Sequence, residues 1–399
     1  MNIIIQKFGG TSVANEKIRK EVVSRIIEKV KAGYKVIAVV SAMGRKGDPY
    51  STDSLINLVD EKYMQKRELD LLMSCGEIIS ATVLSNLVRA NGYNNTVLTG
   101  YQAGIITDNN FGDANVIEVV PLKILNTLEK EDIVIVSGFQ GATRDGEITT
   151  LGRGGSDTSA LILGEAIKCE CVEIYTDVEG IMTADPKLVP NAQLIHKICY
   201  SEVYQLVEEG AGVIHPKAVE VAKRCNIKVI IKNITNNGSG TIIGSLNNSE
   251  ENLPKKKDNI ITAITYKKNR AQVTVHLDDN DMHLKELLDL IAENEISIDL
   301  INLFTERKVF TVDERNAKII ENILLDKGYE YKIIRGCSKI SVIGHKINGL
   351  PGVMARILGA LLSVNVSILQ SSDSHTTIWC LLNEVDTEKA LNALHNEFY

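Results

Sequence analysis

The chain is short of several things that would narrow its role at once. Its seven cysteines are an odd, scattered set, the pattern of reduced thiols in a cytoplasm rather than of a disulfide framework. Cys169 and Cys171 have one residue between them and neither a second pair nor a histidine nearby, so we expect them to pack a helix-to-strand junction and not to hold zinc. Basic residues are in deficit. A net charge of −7 offers nothing to nucleic acid or an anionic membrane, and any site for an anionic substrate must be locally basic against that field. No uninterrupted apolar run approaches the roughly 20 residues that span a bilayer, and the N-terminus has no signal-peptide pattern.

What is present is the composition of a globular protein, 44% hydrophobic and 24% charged over 399 residues, enough for two or three domains. Over residues 1–230, apolar runs at 2–6, 35–40, 96–99, 132–137, 171–176 and 227–231 alternate with helical patterns near 15–31, 53–64, 76–91, 120–129, 157–168 and 216–225. Such alternation predicts a mostly parallel sheet covered on both faces, with ligands beyond the carboxyl ends of its strands. Glycine- and hydroxyl-rich segments at 8–12, 41–53 and 138–141 fall at those ends. The composition turns polar and turn-rich around 234–258, predicting a linker, with Thr241–Ile243 as a last strand of the first domain. Beyond it a strand–helix–strand–strand–helix pattern occurs twice. The first copy has strands at 273–277, 297–301 and 309–312 and helices at 281–293 and 315–327; the second has strands at 340–344, 366–369 and 377–382 and helices at 351–363 and 386–397. Two small paired domains explain this better than one core.

Near the N-terminus, three isoleucines lead into Lys7-Phe-Gly-Gly-Thr-Ser12 and then a helical pattern. Glycines at a strand-to-helix turn admit a ligand close to the backbone, and the helix start attracts an anion. Lys7 adds a charge; Thr11 and Ser12 add hydroxyls. The Walker pattern is absent, because its lysine follows the second glycine, and a plain strand–turn–helix would read the same way. Leu151-Gly-Arg-Gly-Gly-Ser-Asp-Thr-Ser159 is more informative. Its backbone amides suit an oxyanion, and Arg153 suits bidentate grip of a carboxylate or phosphate. Helix capping by Ser156 or Asp157 would account for the acid, but not for three glycines and an arginine. After the strand ending near 176, Asp177 suits a ribose and Lys187 a phosphate, although the segment 175–187 equally reads as two turns. The polar loop 41–53 is long enough to be a lid or binding loop, with Thr52 or Asp53 as a helix cap besides. Glu77 stands near an expected helix start, where the macrodipole alone would justify an acid. His215, before Pro216 at another helix start, lacks a catalytic partner and is expected to be structural.

Together these segments resemble the aspartokinase family: Lys7-Phe-Gly-Gly-Thr-Ser-Val13, Ser41-Ala-Met-Gly, Cys75-Gly-Glu, Gly138-Phe-Gln-Gly, Gly152-Arg-Gly-Gly-Ser-Asp-Thr and Tyr175-Thr-Asp-Val-Glu-Gly, in this order and over essentially the whole chain. The paired C-terminal units look like ACT domains. The stretch from Ile368 to Trp379 looks most like the diaminopimelate-sensitive isozyme of Gram-positive bacteria. The resemblance implies an α/β, amino-acid-kinase-like three-layer sandwich at 1–245, a linker at 246–260, and ACT domains at 261–337 and 338–399, with strands interleaved between the two. It implies transfer of the γ-phosphoryl group of ATP, with Mg²⁺, to the β-carboxylate of L-aspartate. Lys7 would hold the transferring phosphoryl group with Gly9, Gly10, Thr11, Ser12 and Ser41. Arg153, Ser156, Thr52, Glu77 and Phe139 would hold aspartate, with Glu77 on its ammonium. Asp157 would orient Lys7 and substrate, and Thr176, Asp177, Met182 and Lys187 would take the nucleotide. The chain departs from the family's common pattern at Met182 (often Tyr), Lys187 (often Arg) and Gly212 (often Lys), all on the nucleotide side.

For regulation, Ser297, Asp299, Asn348 and Gly349 match effector positions, with Asp299 expected to face solvent or an interface. The effector would be lysine, diaminopimelate or threonine. The expected assembly is a homodimer through residues 260–399, or a tetramer, in the cytoplasm, with no nucleic-acid or membrane partner. The length leads us to expect no fused homoserine dehydrogenase after Tyr399. Two alternatives stand beside this reading: a kinase of the same fold for acetylglutamate, glutamate, carbamate or UMP, and a catalytically inactive ACT-type amino-acid sensor.

Overall fold

The computed structural model of the protein describes residues 1–245, 261–277, 281–344, 347 and 350–399. The chain divides into two compact units, the first made of 1–181, 194–207 and 212–250, the second of 182–193, 208–211 and 251–399. The division therefore differs from a single cut at 245, since two short segments, one of them holding Met182 and Lys187, side with the C-terminal unit.

The first unit has strands β1 (Ile3–Phe8), β2 (Lys35–Val40), β3 (Asn95–Leu98), β4 (Ile105–Thr107), β5 (Val116–Val119), β6 (Ile133–Ser137), β7 (Gln140–Ala142), β8 (Ile148–Thr150), β9 (Val172–Thr176), β10 (Lys197–Cys199), β11 (Val229–Asn233) and β12 (Thr241–Gly244). Its helices are α1 (Glu16–Lys31), α2 (Thr52–Ile56), α3 (Lys66–Ala90), α4 (Leu122–Leu128), α5 (Gly155–Ile167), α6 (Tyr200–Glu208), whose last residue falls in the second unit, and α7 (Pro216–Cys225). Eight strands form one sheet in the order β10-β12-β11-β9-β1-β2-β6-β3, parallel except for the β11–β12 pair. The β-branched runs of β1, β2 and β6 are buried almost throughout, as expected of strands covered on both faces. A small sheet, β5-β4-β7-β8, carries the remaining four strands. The parallel core puts the carboxyl ends of β9, β1, β2 and β6 side by side, which is where the glycine-rich turns begin.

Two helices differ from expectation. Residues 53–64 hold only the short α2, because Asp60 accepts a hydrogen bond from the Lys62 amide and starts a separate 3-10 turn. The helix expected from 76 begins ten residues earlier, so α3 is 25 residues long. It is long and apolar enough to cross a membrane by length and composition, a point that counting uninterrupted apolar residues passed over. Its Ala81, Leu84 and Val88 are wholly buried in the core against β1 and β2.

In the second unit, β13 (Ile261–His276), β14 (Asp299–Leu303), β15 (Arg307–Asp313), β16 (Glu330–Gly344), β17 (Gln370–Asp373) and β18 (Thr377–Asn383) join α8 (Asp281–Glu293), α9 (Ala317–Asp326), α10 (Val353–Ser363) and α11 (Thr387–Phe398). The strands make one antiparallel sheet, β14-β15-β13-β16-β18-β17. Strands β13 and β16 run through both repeats, with register shifts near Lys267–Gln272. Ala271, Val273 and Val275 enter one core with Leu287, Phe310 and Ile320. Ile261 and Ile264 enter the other with Ile340, Ile357 and Leu391. Residues 261–266 thus belong to the second core, so no cut at 337 separates the copies. The strand expected at 366–369 lies at 370–373: Val366 is buried in the second core and Ile368 packs against it from outside the ladder, while the polar Gln370–Asp373 segment pairs with β18.

Candidate active site

Lys7 lies near the carboxyl end of β1, and its Nζ sits 2.6 Å from Asp157 Oδ1, with both side chains only about a tenth exposed (12% and 11%). The ammonium folds back over the following turn, 3.5 Å from where a Cβ of Gly9 would be. Not every group of that turn is available to a ligand. The Gly9 amide donates to the Tyr175 carbonyl at 3.4 Å, and the buried Ser12 hydroxyl donates to the same carbonyl at 3.3 Å. Thr11 is half-buried on the short helix that follows. Gly10 has a packing reason: a Cβ there would stand 2.6 Å from the Gly44 carbonyl oxygen. Ser41 is held by its amide, which donates to the Phe8 carbonyl at 3.1 Å.

Helix α5 opens without a side-chain cap. Its N-cap is Gly154, at φ 71°, and neither Ser156 nor Asp157 caps it; both are buried at 8% exposure. With the cap position given to glycine, the helix start keeps its attraction for an anion. A Cβ on Gly154 would meet His215 Cβ at 2.2 Å. His215 in turn accepts the Lys217 amide at 3.3 Å as the N-cap of α7, the structural part expected of it. Arg153 is exposed. Gly138 packs beneath α5, where its Cβ would lie 3.0 Å from Ser156 Cβ. Phe139, at φ 69°, is pinned there by Ser159 Oγ, which accepts its amide at 3.0 Å.

Glu77 is not at a helix start. It lies well inside α3, beyond the reach of the macrodipole, and is 2% exposed. The Ala42 amide donates to its Oε1 at 2.9 Å, while its Oε2 is buried without a partner. Burial pushes the carboxyl up to about 8, against the Ala42 hydrogen bond. A buried acceptor with nothing to accept is costly, and it marks a place for a donor. Thr52, half-buried, is freed from capping because Ser51 Oγ accepts the Ser54 amide at 3.3 Å as the N-cap of α2.

At the end of β9, Thr176 Oγ1 donates to Asp177 Oδ1 at 3.2 Å, and Asp177 also pairs with Arg45, a residue the sequence reading passed over. The first unit therefore brings Lys7, Gly9, Gly10, Ser41, Phe139, Arg153, Ser156, Asp157, Thr176 and Asp177 to adjacent strand ends and the helix start beside them, with Glu77 joined to the end of β2 from inside α3 through the Ala42 amide. Met182 and Lys187 lie in the second unit. Also there, Asp299 is paired rather than free, with Lys339 Nζ 2.5 Å from its Oδ2 and 2.9 Å from Glu209 Oε2. Ser297 is exposed in the turn before β14; Asn348, Gly349 and the linker 246–260 lie outside the described residues.

Comparison with known proteins identifies the family. The amino acid kinase family profile matches residues 2–233, and an ACT domain profile matches 332–396. Aspartokinase 1 of Bacillus subtilis (strain 168) is 43% identical over 401 residues, covering 100% of this chain and 99% of that protein. An aspartokinase of Geobacillus stearothermophilus is 36% identical, covering 100% and 97%. The fold is that of the Clostridium acetobutylicum aspartate kinase, with a TM-score of 0.78 at 22% identity and 100% of both chains covered. The chain belongs to the aspartokinases, ATP-dependent phosphotransferases that act on aspartate.

Proposed function

We propose that phosphoryl transfer takes place between the Lys7 turn and the start of α5. The β-carboxylate of aspartate is ionised at neutral pH, so it attacks the γ-phosphorus of ATP without a general base. Charge neutralisation and in-line placement are what the protein must supply. Lys7 holds the transferring phosphoryl oxygens together with Gly10, Thr11 and Ser41, while the Gly9 amide and the Ser12 hydroxyl stay on the Tyr175 carbonyl and shape the turn. Asp157 positions the Lys7 ammonium. Arg153 grips an aspartate carboxylate with Ser156 and Thr52, and Phe139 walls the pocket. Glu77 takes the ammonium. Thr176 and Asp177 hold the ribose. The observation that carries this reading is the nearly buried Lys7–Asp157 pair, which joins the two glycine-rich motifs.

Mg²⁺ fits as an ion delivered on the triphosphate. Among the described residues no group of three His, Cys, Asp or Glu side chains gathers to cage a metal, and Mg²⁺ usually keeps waters and phosphate oxygens as ligands. When bound it supplies neutralisation of the phosphate charge.

An amino-acid effector is proposed at Asp299, drawn from lysine, diaminopimelate and threonine. Beside it, Leu300 adopts φ 47° at a bulge, a strained non-glycine backbone of the kind that collects at ligand sites. A homodimer is proposed through the second unit. Helix α10 exposes Met354, Leu358 and Leu362 at four-residue spacing on one face, a stripe suited to a second copy. The cytoplasm is the proposed location, in keeping with seven free thiols. Inhibition assays with the three amino acids test the effector; insensitivity to all of them would remove it. Sedimentation tests the assembly, and a monomer at micromolar concentration with and without effector contradicts the dimer.

A further inference from the structure

The loop between β2 and α2 carries two exposed cations, Arg45 and Lys46, that the roles above leave unused. Its base is fastened to the phosphate turn, with the Gly44 amide donating to the Gly10 carbonyl at 2.9 Å. Asp48 locks the tip: its Oδ2 accepts the Arg45 amide at 2.7 Å, and its own amide donates to the Arg45 carbonyl at 2.8 Å. From this fixed turn the Arg45 guanidinium reaches the Asp177 carboxylate at the end of β9. Strands β9 and β2 flank β1, so the Arg45–Asp177 pair crosses the carboxyl end of β1, where Lys7 and the Gly9–Gly10 turn begin.

Charge balance gives that crossing a purpose. The Lys7 charge is already matched by Asp157 at 2.6 Å, and Arg153 is committed to aspartate. The lysine common in the family at position 212 is Gly212 here, and a Cβ there would meet nothing within 4 Å, so packing does not demand the glycine. Lys7, half-neutralised by Asp157, and Mg²⁺ leave part of a triphosphate's charge unmatched, and the loop beside the turn supplies two further cations. With side chains 69% and 51% exposed, the Arg45–Asp177 pair is weak, whereas a guanidinium meets phosphate through two parallel hydrogen bonds.

We propose that Arg45 is a nucleotide-phosphate ligand. Its guanidinium exchanges the Asp177 carboxylate for the β- and γ-phosphate oxygens of ATP, releasing Asp177 to the ribose hydroxyls, with Lys46 as a second, outer charge. The proposal rests on the reading of Thr176 and Asp177 as the nucleotide site.

The test is calorimetric titration of ATP, ADP and AMP into the full-length wild type, Arg45→Met, Arg45→Lys and Asp177→Asn, with KM for ATP and aspartate alongside. Arg45→Met is expected to weaken ATP and ADP binding about tenfold, the scale of one charge-assisted contact, while AMP affinity and KM for aspartate stay unchanged. Arg45→Lys recovers part of the loss, since it keeps the charge but not the fork. An ATP-to-AMP affinity ratio equal to wild type in Arg45→Met overturns the proposal. Equal weakening of all three nucleotides also overturns it, leaving Arg45 as a fastener of the loop. If Asp177→Asn leaves all three affinities unchanged, the ribose assignment fails by itself, whatever Arg45→Met does.

Discussion

Lys7 Nζ lies 2.6 Å from Asp157 Oδ1, and through that pair the end of the first strand and the opening of the fifth α-helix form one site. Neither side chain has much water to fall back on. Replacing Lys7 by Ala or Asp157 by Asn is expected to lower kcat by at least about a hundredfold, the scale of removing preorganised electrostatics from a transition state. Steady-state assays check this, with far-UV circular dichroism showing that each variant is folded. Near wild-type turnover in either folded variant contradicts the roles proposed for them.

Glu77 gives the site a pH signature. Its carboxyl is raised from 4.5 to about 8 by burial, so it is mostly protonated in the free enzyme near neutrality and ionises as pH rises. Since the ionised form receives the aspartate ammonium, kcat/KM for aspartate is expected to climb toward pH 8, by up to about tenfold per unit. The sign for stability is opposite. Between 4.5 and about 8 the folded state keeps a proton that the unfolded state has released, so this residue makes the unliganded protein less stable as pH rises through that window. Glu77→Gln should flatten both profiles. A slope in kcat/KM that survives the substitution assigns the titration to another group.

How much of this was readable beforehand depended on where the signal lay. The β-branched runs at 35–40 and the Pro216 helix start matched the structure because their signals are local. The small sheet β5-β4-β7-β8 went unread: its three- and four-residue strands are too short for periodicity to register. Ser74, Cys75 and Gly76 look like a boundary but lie inside α3, because tertiary packing overrides their weak helix preference. The expectation of Glu77 near a helix start rests on that apparent boundary, whereas the 41–51 loop folds onto α3 and buries it. Arg45 was hidden for a similar reason: its partner is 132 positions away.

Gly154 tests whether the arginine loop needs its backing. An added methyl group would be strained at φ 71° and would meet His215 Cβ at 2.2 Å. Gly154→Ala is expected to cost roughly 1–3 kcal/mol through backbone strain and to raise KM for aspartate as Arg153 shifts. Thermal unfolding and steady-state kinetics report the two effects. An unchanged KM in a destabilised variant would separate the loop from substrate binding.

At the regulatory site, Asp299→Ala removes one of two carboxylates from Lys339, which keeps Glu209 at 2.9 Å. Basal turnover should therefore be retained while inhibition is relieved. A dose–response curve identical to wild type would refute the effector role of Asp299.

The most direct measurement is the trapping of acyl phosphate with hydroxylamine in the presence of ATP and, in turn, L-aspartate, L-glutamate and N-acetylglutamate, with wild type and Arg153→Ala side by side. Wild type is expected to yield hydroxamate from aspartate and from neither other acid. Arg153→Ala should lose most of that yield at subsaturating aspartate and regain part of it when aspartate is raised. Hydroxamate from glutamate or acetylglutamate, or an Arg153→Ala yield equal to wild type at low aspartate, would contradict the account of how this site selects and holds its substrate.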